Sequence, residues 1–265
     1  MVLHRGCREA VEVRSLHAAV GLFTVFKVPS FDVDRTMAAR AMRALPWVGL
    51  LLGVIAGVFA QTIGGLVGPA LALAIITGAT GGLHLDGLAD TADGLGSRKP
   101  ADEALVIMKR SDIGPMGVIV LVLVLLIDLA ALVSFAGALV IPALAGALAA
   151  GRAAVQVASV RPGTARPGGF GALFAGVTRG WEAAVNCALL AAVVLAMAWW
   201  VAGLWGVVTL AVGLAAGAFA AFVWGSRLVR QFGGWTGDTF GSLIEVTQCA
   251  VLVGSIVAAS WLVLV

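Results

Sequence analysis

PALALAIITGATGGLHLDGLADTADGLGS, Pro69 to Ser97, joins an apolar run directly to three aspartates. The apolar part, Pro69 to Leu83, is short against the roughly 20 helical residues that cross a ~30 Å hydrocarbon core. The aspartates therefore begin at a membrane face. Asp86, Asp90 and Asp93 are spaced i, i+4, i+7, which on an α-helix stacks them on one stripe two turns long. Like charges so placed repel, and no Lys or Arg lies between Arg43 and Arg98 to offset them. A divalent cation is the simplest compensation, because carboxylate oxygens are hard ligands for magnesium, calcium or manganese. The other positions from Asp86 to Gly96 are Gly, Ala, Leu and Thr, small enough for a bulky ligand to approach. A solvated acidic helix end is the ordinary reading of such residues. It leaves unexplained why three carboxylates share one face at the membrane edge, where charge is costly and usually functional.

Outward from this stretch, the 265-residue chain is 61% hydrophobic and 12% charged, with a mean hydropathy of +1.05. Soluble domains carry about a quarter charged residues. The composition therefore predicts an all-α, polytopic transmembrane helix bundle, one integral-membrane domain over 1–265. The net charge of +3 does not point to nucleic acid, because the placement of the basic residues has another meaning (below). Cys7, Cys187 and Cys249 form no disulfide or zinc pattern and read as packing residues. The first 44 residues lack the continuous apolar core of a signal peptide. Within them, Val11 to Phe26 reads either as an amphipathic interfacial helix or as an N-terminal helix packed on the bundle.

Hydropathy marks seven spans, at 46–68, 69–83, 116–139, 142–158, 183–201, 205–223 and 249–265. All 17 Lys and Arg fall in 5–43, 98–110, 152–179 and 227–230, and an even number of spans separates neighbouring groups. All four can lie on one side, which the positive-inside rule makes cytoplasmic. The N-terminus is then inside, the C-terminus outside, and the aspartates face the cytoplasm across the inner membrane.

That geometry brings further polar segments to the same face. GGWTGDTFGSLIE, Gly233 to Glu245, carries Asp238 and Glu245 at i, i+7 in a polar segment expected over 225–248. Two acidic clusters with cations from the intervening loops suit a metal-bridged diphosphate site, where metals neutralise phosphate oxygens and Lys or Arg clamps them. A turn plus a helix cap is the plainer reading of Asp238 and Glu245. Asp128, in the middle of LVLLIDLAALV, reads as a protonated packing residue far from these motifs. His84 would face away from the aspartate stripe on a continuous helix.

HLDGLADTADG, His84 to Gly94, resembles the signature of the cobalamin synthase family, the adenosylcobinamide-GDP ribazoletransferases. The resemblance covers most of the chain: FTVFKVPS (Phe23–Ser30), LPWVGLLLG (Leu45–Gly53), IMKRSDIGPMG (Ile107–Gly117), RPGGFGALF (Arg166–Phe174) and GGWTGDTFGSLIE follow in the family's order. In IMKRSDIGPMG, the family's charges around the serine are exchanged, here Arg110 and Asp112. The resemblance implies a magnesium-dependent transferase. A ribose hydroxyl of α-ribazole, or of its 5′-phosphate, attacks the phosphorus nearest cobinamide in adenosylcobinamide-GDP, GMP leaves, and the nucleotide loop closes.

On this reading Asp86, Asp90 and Asp93 hold Mg2+, and Asp93, Asp238 or Glu245 is the catalytic carboxylate that takes the hydroxyl proton. His84, Lys109, Arg110, Arg152, Arg166 and Thr236 bind substrate. The partners are the two substrates and the bilayer, with an oligomer left open. Two rivals belong beside it. CDP-alcohol phosphotransferases and membrane prenyltransferases also present spaced aspartates at a membrane face, but the former carry an Ala-Arg after the first Asp-Gly that is missing after Asp86–Gly87. A cation transporter would place its carboxylates near the midplane, where only Asp128 is expected.

Overall fold

The computed structural model describes residues 15–135, 137–166 and 168–263. Among the described residues ten α-helices follow one another: α1 over 15–23, α2 Arg35–Thr62, α3 Val67–Thr80, α4 Leu83–Gly96, α5 Ala101–Ile107, α6 Pro115–Ser134, α7 Val140–Ala158, α8 Phe170–Phe174, α9 Gly180–Phe232 and α10 Gly237–Val263. The described residues contain no β-strand, only an isolated bridge between Thr164 and Trp235. The all-α bundle expected from composition is what forms.

Of the Val11–Phe26 stretch, Val11 to Arg14 lie outside the described residues. The rest packs on the bundle, with Ala18, Ala19 and Phe23 buried in the core. Asp34 opens α2 by accepting the Met37 amide at 2.7 Å, a side-chain N-cap. The helix then runs through Pro46, so it begins well before the expected span. Along α2, Gly49, Gly53 and Gly57 form a four-residue repeat facing α7. A Cβ on Gly53 would stand 2.5 Å from the Leu144 carbonyl oxygen, so the two backbones touch, as small-residue stripes allow in membranes.

The organising bend lies between α3 and α4. Gly81 (φ 62°) and Gly82 (φ 73°) both adopt the left-handed conformation that glycine takes without steric cost. They end α3 and turn α4 by 89°. Helix α4 consequently runs along the end of the bundle rather than through it, carrying all three aspartates.

Among the described residues five helices are long and apolar enough to cross a membrane, or six when the bent α3–α4 pair is taken as one broken span. The expected seven is reached only by counting the two arms of α9 separately. That helix has 53 residues, about 80 Å at 1.5 Å each, and is interrupted at Ala202 and Gly203 (φ 59°, ψ −144°). Trp199, Trp200 and Trp205 are exposed around the break, where interfacial aromatics belong.

One boundary differs in a way that matters. The polar segment expected over 225–248 is helical on both sides of a short turn: α9 continues to Phe232 and α10 begins at Gly237. The final membrane helix therefore includes Asp238 and Glu245. Its start is a reciprocal cap, the Thr239 amide donating to the Thr236 hydroxyl at 3.1 Å and the Thr236 amide to the Thr239 hydroxyl at 2.8 Å.

Polar side chains from distant segments meet at one end of the bundle. Arg43 pairs with Glu182 at 2.8 Å, Asn186 donates to the Arg43 carbonyl, and Arg166 pairs with Asp238 at 3.1 Å. The segments carrying Arg43 and Arg166 thus lie at the same end of the fold.

Candidate active site

Helices α4 and α10 cross at their glycines. A Cβ on Gly87 would meet the Asp238 backbone, and one on Gly241 would lie 3.0 Å from the His84 carbonyl oxygen. This contact sets the two acidic motifs side by side. The loop before α8 completes the arrangement. The Trp235 amide donates to the Gly163 carbonyl and the Ala165 amide to the Trp235 carbonyl, both at 3.1 Å. The pairing delivers Arg166 to Asp238, while its other terminal nitrogen donates to the Leu105 carbonyl at 2.5 Å. The Arg166 Nε is buried and unpartnered.

Asp86, Asp238, Arg166, Thr236 and His84 line one enclosed cavity of about 270 Å³. A second, more open cavity of about 540 Å³ lies between residues 22–24, the α3–α4 turn and α6, and shares Phe23, Leu83 and Asp86 with the first. Asp86 is exposed at their junction. The Asp90 carboxyl is pushed up to about 7, first by partial burial and then by Asp86, Asp238 and Asp93, with Arg166 opposing. Four carboxylates therefore crowd one region, with a single nearby cation acting against them.

Asp93 stands apart within this group. Its two oxygens accept the Gly114 amide at 2.7 Å and the Gly117 amide at 2.8 Å, at the N-terminus of α6. The spacing correctly placed Asp93 near Asp90, but its side chain is engaged in tying α4 to α6.

The remaining expected residues divide further. His84 is buried yet lines the same cavity as Asp86, and neither ring nitrogen has a hydrogen-bond partner. Glu245 lies behind it, 4.0 Å from Nδ1, and accepts from Gln248 at 2.5 Å. Glu245 does not line the cavity holding Asp238. With Asp128 and Gln248 it lines a small internal void of about 20 Å³, so Asp128 sits near this motif and not far from it. Arg152 is fully buried and donates to the Leu148 carbonyl of its own helix. Lys109 and Arg110 are exposed in the α5–α6 loop and line neither large cavity. Thr236 reaches the cavity, but its backbone and hydroxyl are occupied by the α10 cap.

The aromatic wall of the cavity escaped sequence reading. Phe23, Phe170 and Phe174 pack edge-on or tilted, with centroids 5.0 to 6.3 Å apart, and Trp235 stacks on Phe240 at 5.2 Å. These residues belong to three separate segments, and aromatic spacing in a membrane chain carries no local signal that would distinguish a cavity wall from core.

The profile of the family described as cobalamin-5-phosphate synthase matches residues 15–256. This chain belongs to that family. Among curated members of the cobalamin-5-phosphate synthase family, a Pseudomonas aeruginosa protein is 39% identical over 229 residues, 81% of this chain and 85% of its own. A Frankia casuarinae protein is 37% identical over 248 residues, covering 83% and 85% respectively. An Escherichia coli protein is 34% identical over 247 residues, covering 89% and 96%. Each is named adenosylcobinamide-GDP ribazoletransferase. No solved structure matches the chain.

Among the described residues no three His, Cys, Asp or Glu side chains gather closely enough to hold a metal ion alone. A complete protein cage for a cation is thus not preformed. Magnesium usually takes one or two carboxylates and fills its shell with water and substrate phosphate. Asp86 at the cavity junction, with Asp90 near both it and Asp238, fits that partial set.

Proposed function

We propose that this chain is an adenosylcobinamide-GDP ribazoletransferase, joining the cobinamide phosphate of adenosylcobinamide-GDP to a ribose hydroxyl of α-ribazole or its 5′-phosphate. The observation that carries the reading is the meeting of Asp86, Asp238 and Arg166 in one cavity, with Asp86 also bordering the second. A transferase with two large substrates needs two spaces that share a reacting point, and Asp86 borders both.

Arg166 clamps diphosphate oxygens, its contact to Leu105 holding the fork in place. Asp238 accepts the hydroxyl proton as the ribose oxygen bonds to the phosphorus nearest cobinamide. The bond from that phosphorus to the bridging oxygen breaks, and GMP leaves with the electron pair. Asp86 and Asp90 hold Mg2+, which when bound neutralises diphosphate charge and favours an in-line displacement. Asp93 holds α4 against α6 and so fixes the direction of the other two aspartates. His84 contacts substrate within the cavity. Glu245, Gln248 and Arg152 form the buried polar support behind it.

The active face is cytoplasmic in the inner membrane, supported by the gathering of basic segments at the same end of the bundle as Asp238. The test is incubation of purified protein with adenosylcobinamide-GDP, α-ribazole and magnesium. GMP formation that requires all three supports the reading, and its absence with both free and 5′-phosphorylated ribazole overturns it.

A further inference from the structure

Resting on that reading, we propose that the enclosed cavity is the seat of the nucleoside's base, and that its walls select a flat, apolar, two-ring base over a purine. The corrinoid then occupies the open cavity, and the reactants meet at Asp86.

Size makes the first division. The enclosed space of about 270 Å³ lies near the lower limit of small-molecule sites, enough for one nucleoside and far too small for a corrin ring. The neighbouring cavity is twice as large and open. Its edge includes Ile113 and Leu121, from the loop and helix that Asp93 ties to α4, so it can admit a ligand extending beyond the protein.

Wall chemistry makes the second division. The polar groups of the enclosed cavity are Asp86, Asp238, Arg166, His84 and two threonines, the set suited to ribose and phosphate. The rest is apolar: the Phe23–Phe170–Phe174 cluster, Trp235 over Phe240, and Met42, Leu45 and Val155 from the flanking helices. Aromatic edges and faces of this kind receive a planar ring. Guanine or adenine would bring amino and ring-nitrogen groups against these apolar side chains, and polar groups buried without partners cost binding. A methylated benzimidazole, the base of ribazole, has one free imine nitrogen after glycosylation.

The experiment follows GMP release by the full-length protein, with α-ribazole compared against the adenine α-riboside. Wild type should prefer α-ribazole at least tenfold in kcat/KM. Phe170 is half-exposed, so Phe170→Ala should fold. It should lower kcat/KM for α-ribazole about tenfold, through KM, while KM for adenosylcobinamide-GDP changes less than twofold. Val155→Thr, nearly isosteric, places a hydroxyl on the apolar wall and should narrow the preference over the adenine nucleoside at least threefold. A shift in the corrinoid KM instead, or an unchanged base preference in both variants, overturns the assignment. If wild type releases no GMP, the transferase reading fails and the cavity is judged by binding. Added α-ribazole must then quench tryptophan fluorescence more in wild type than in Trp235→Phe; equal quenching overturns the inference.

Discussion

The backbone of Asp238 lies directly against Gly87: a Cβ on residue 87 would stand 2.7 Å from the Asp238 carbonyl oxygen and 3.0 Å from its Cα. The Asp-Gly pair at 86–87 therefore has two jobs. The aspartate supplies the carboxylate, and the glycine lets α10 come close enough to bring the second acidic motif beside it.

Gly87→Ala should accordingly push α4 from α10 without touching a charged group. Overpacking of this kind costs typically 1–3 kcal/mol of stability, and a misplacement of about 1 Å can cost about 10²-fold in rate. The expected result is a protein that still purifies from membranes, melts earlier in detergent and releases GMP about a hundredfold more slowly. Near-normal turnover would show that the α4–α10 contact does not set the site.

Asp93→Asn separates the structural role of this residue from a ligand role. The amide side chain keeps one acceptor oxygen but presents an N–H₂ where the second oxygen accepted an amide. The lost charge-assisted bond and the opposed donors should cost about 1–3 kcal/mol, seen as a lower melting temperature. Half-saturation by magnesium should change little, whereas Asp86→Asn or Asp90→Asn should raise it at least tenfold or abolish turnover. A magnesium requirement raised as much by Asp93→Asn as by Asp86→Asn would return Asp93 to the metal site.

Membrane orientation can be read separately from chemistry. Arg43, Arg166 and Asp238 share one end of the bundle, and the basic residues there should face the cytoplasm. A reporter fused after Val265 is expected to be active only outside the cytoplasm. Cytoplasmic activity would mean that α3 and α4 together do not cross, leaving an even number of spans.

Much of this was legible in the chain. Spacing alone put Asp86, Asp90 and Asp93 on one helix, and the apolar runs marked the bundle. The bend at Gly81–Gly82 was not legible as an 89° turn, because the same dipeptide is compatible with a continuing helix or a loop. Helix α10 was given too late a start, since Gly, Thr, Asp and Ser from 237 to 242 lower hydropathy although they face buried neighbours: Thr239 and Ser242 are wholly buried. That His84 lines the same cavity as Asp86 was not legible for a related reason. A residue two positions from Asp86 points elsewhere on an isolated helix, yet here the cavity wraps around the start of α4 and reaches both. The destination of the Asp93 oxygens depends on a backbone more than twenty residues away, which no local pattern records.

Coupling between the two acidic motifs is the sharpest remaining test. Asp86 and Asp238 line one cavity, and each contributes to the charge felt by Asp90. In the proposed reaction Asp86 helps hold magnesium on the diphosphate while Asp238 takes the hydroxyl proton. Groups that serve one transition state are strongly non-additive in rate. Asp86→Asn alone should then slow GMP release almost as much as Asp86→Asn with Asp238→Asn, measured at saturating magnesium. The Arg166 pairing adds a second, opposite expectation. Asp238→Asn weakens Arg166's tether at 3.1 Å but leaves its contact with Leu105, so KM for the GDP-activated corrinoid should rise by less than the fall in kcat. If the two substitutions instead multiply independently, Asp238 acts outside the catalytic unit. Its service to the fold would then be to anchor Arg166 at the start of α10, and the proton would have to be taken by another group lining the cavity.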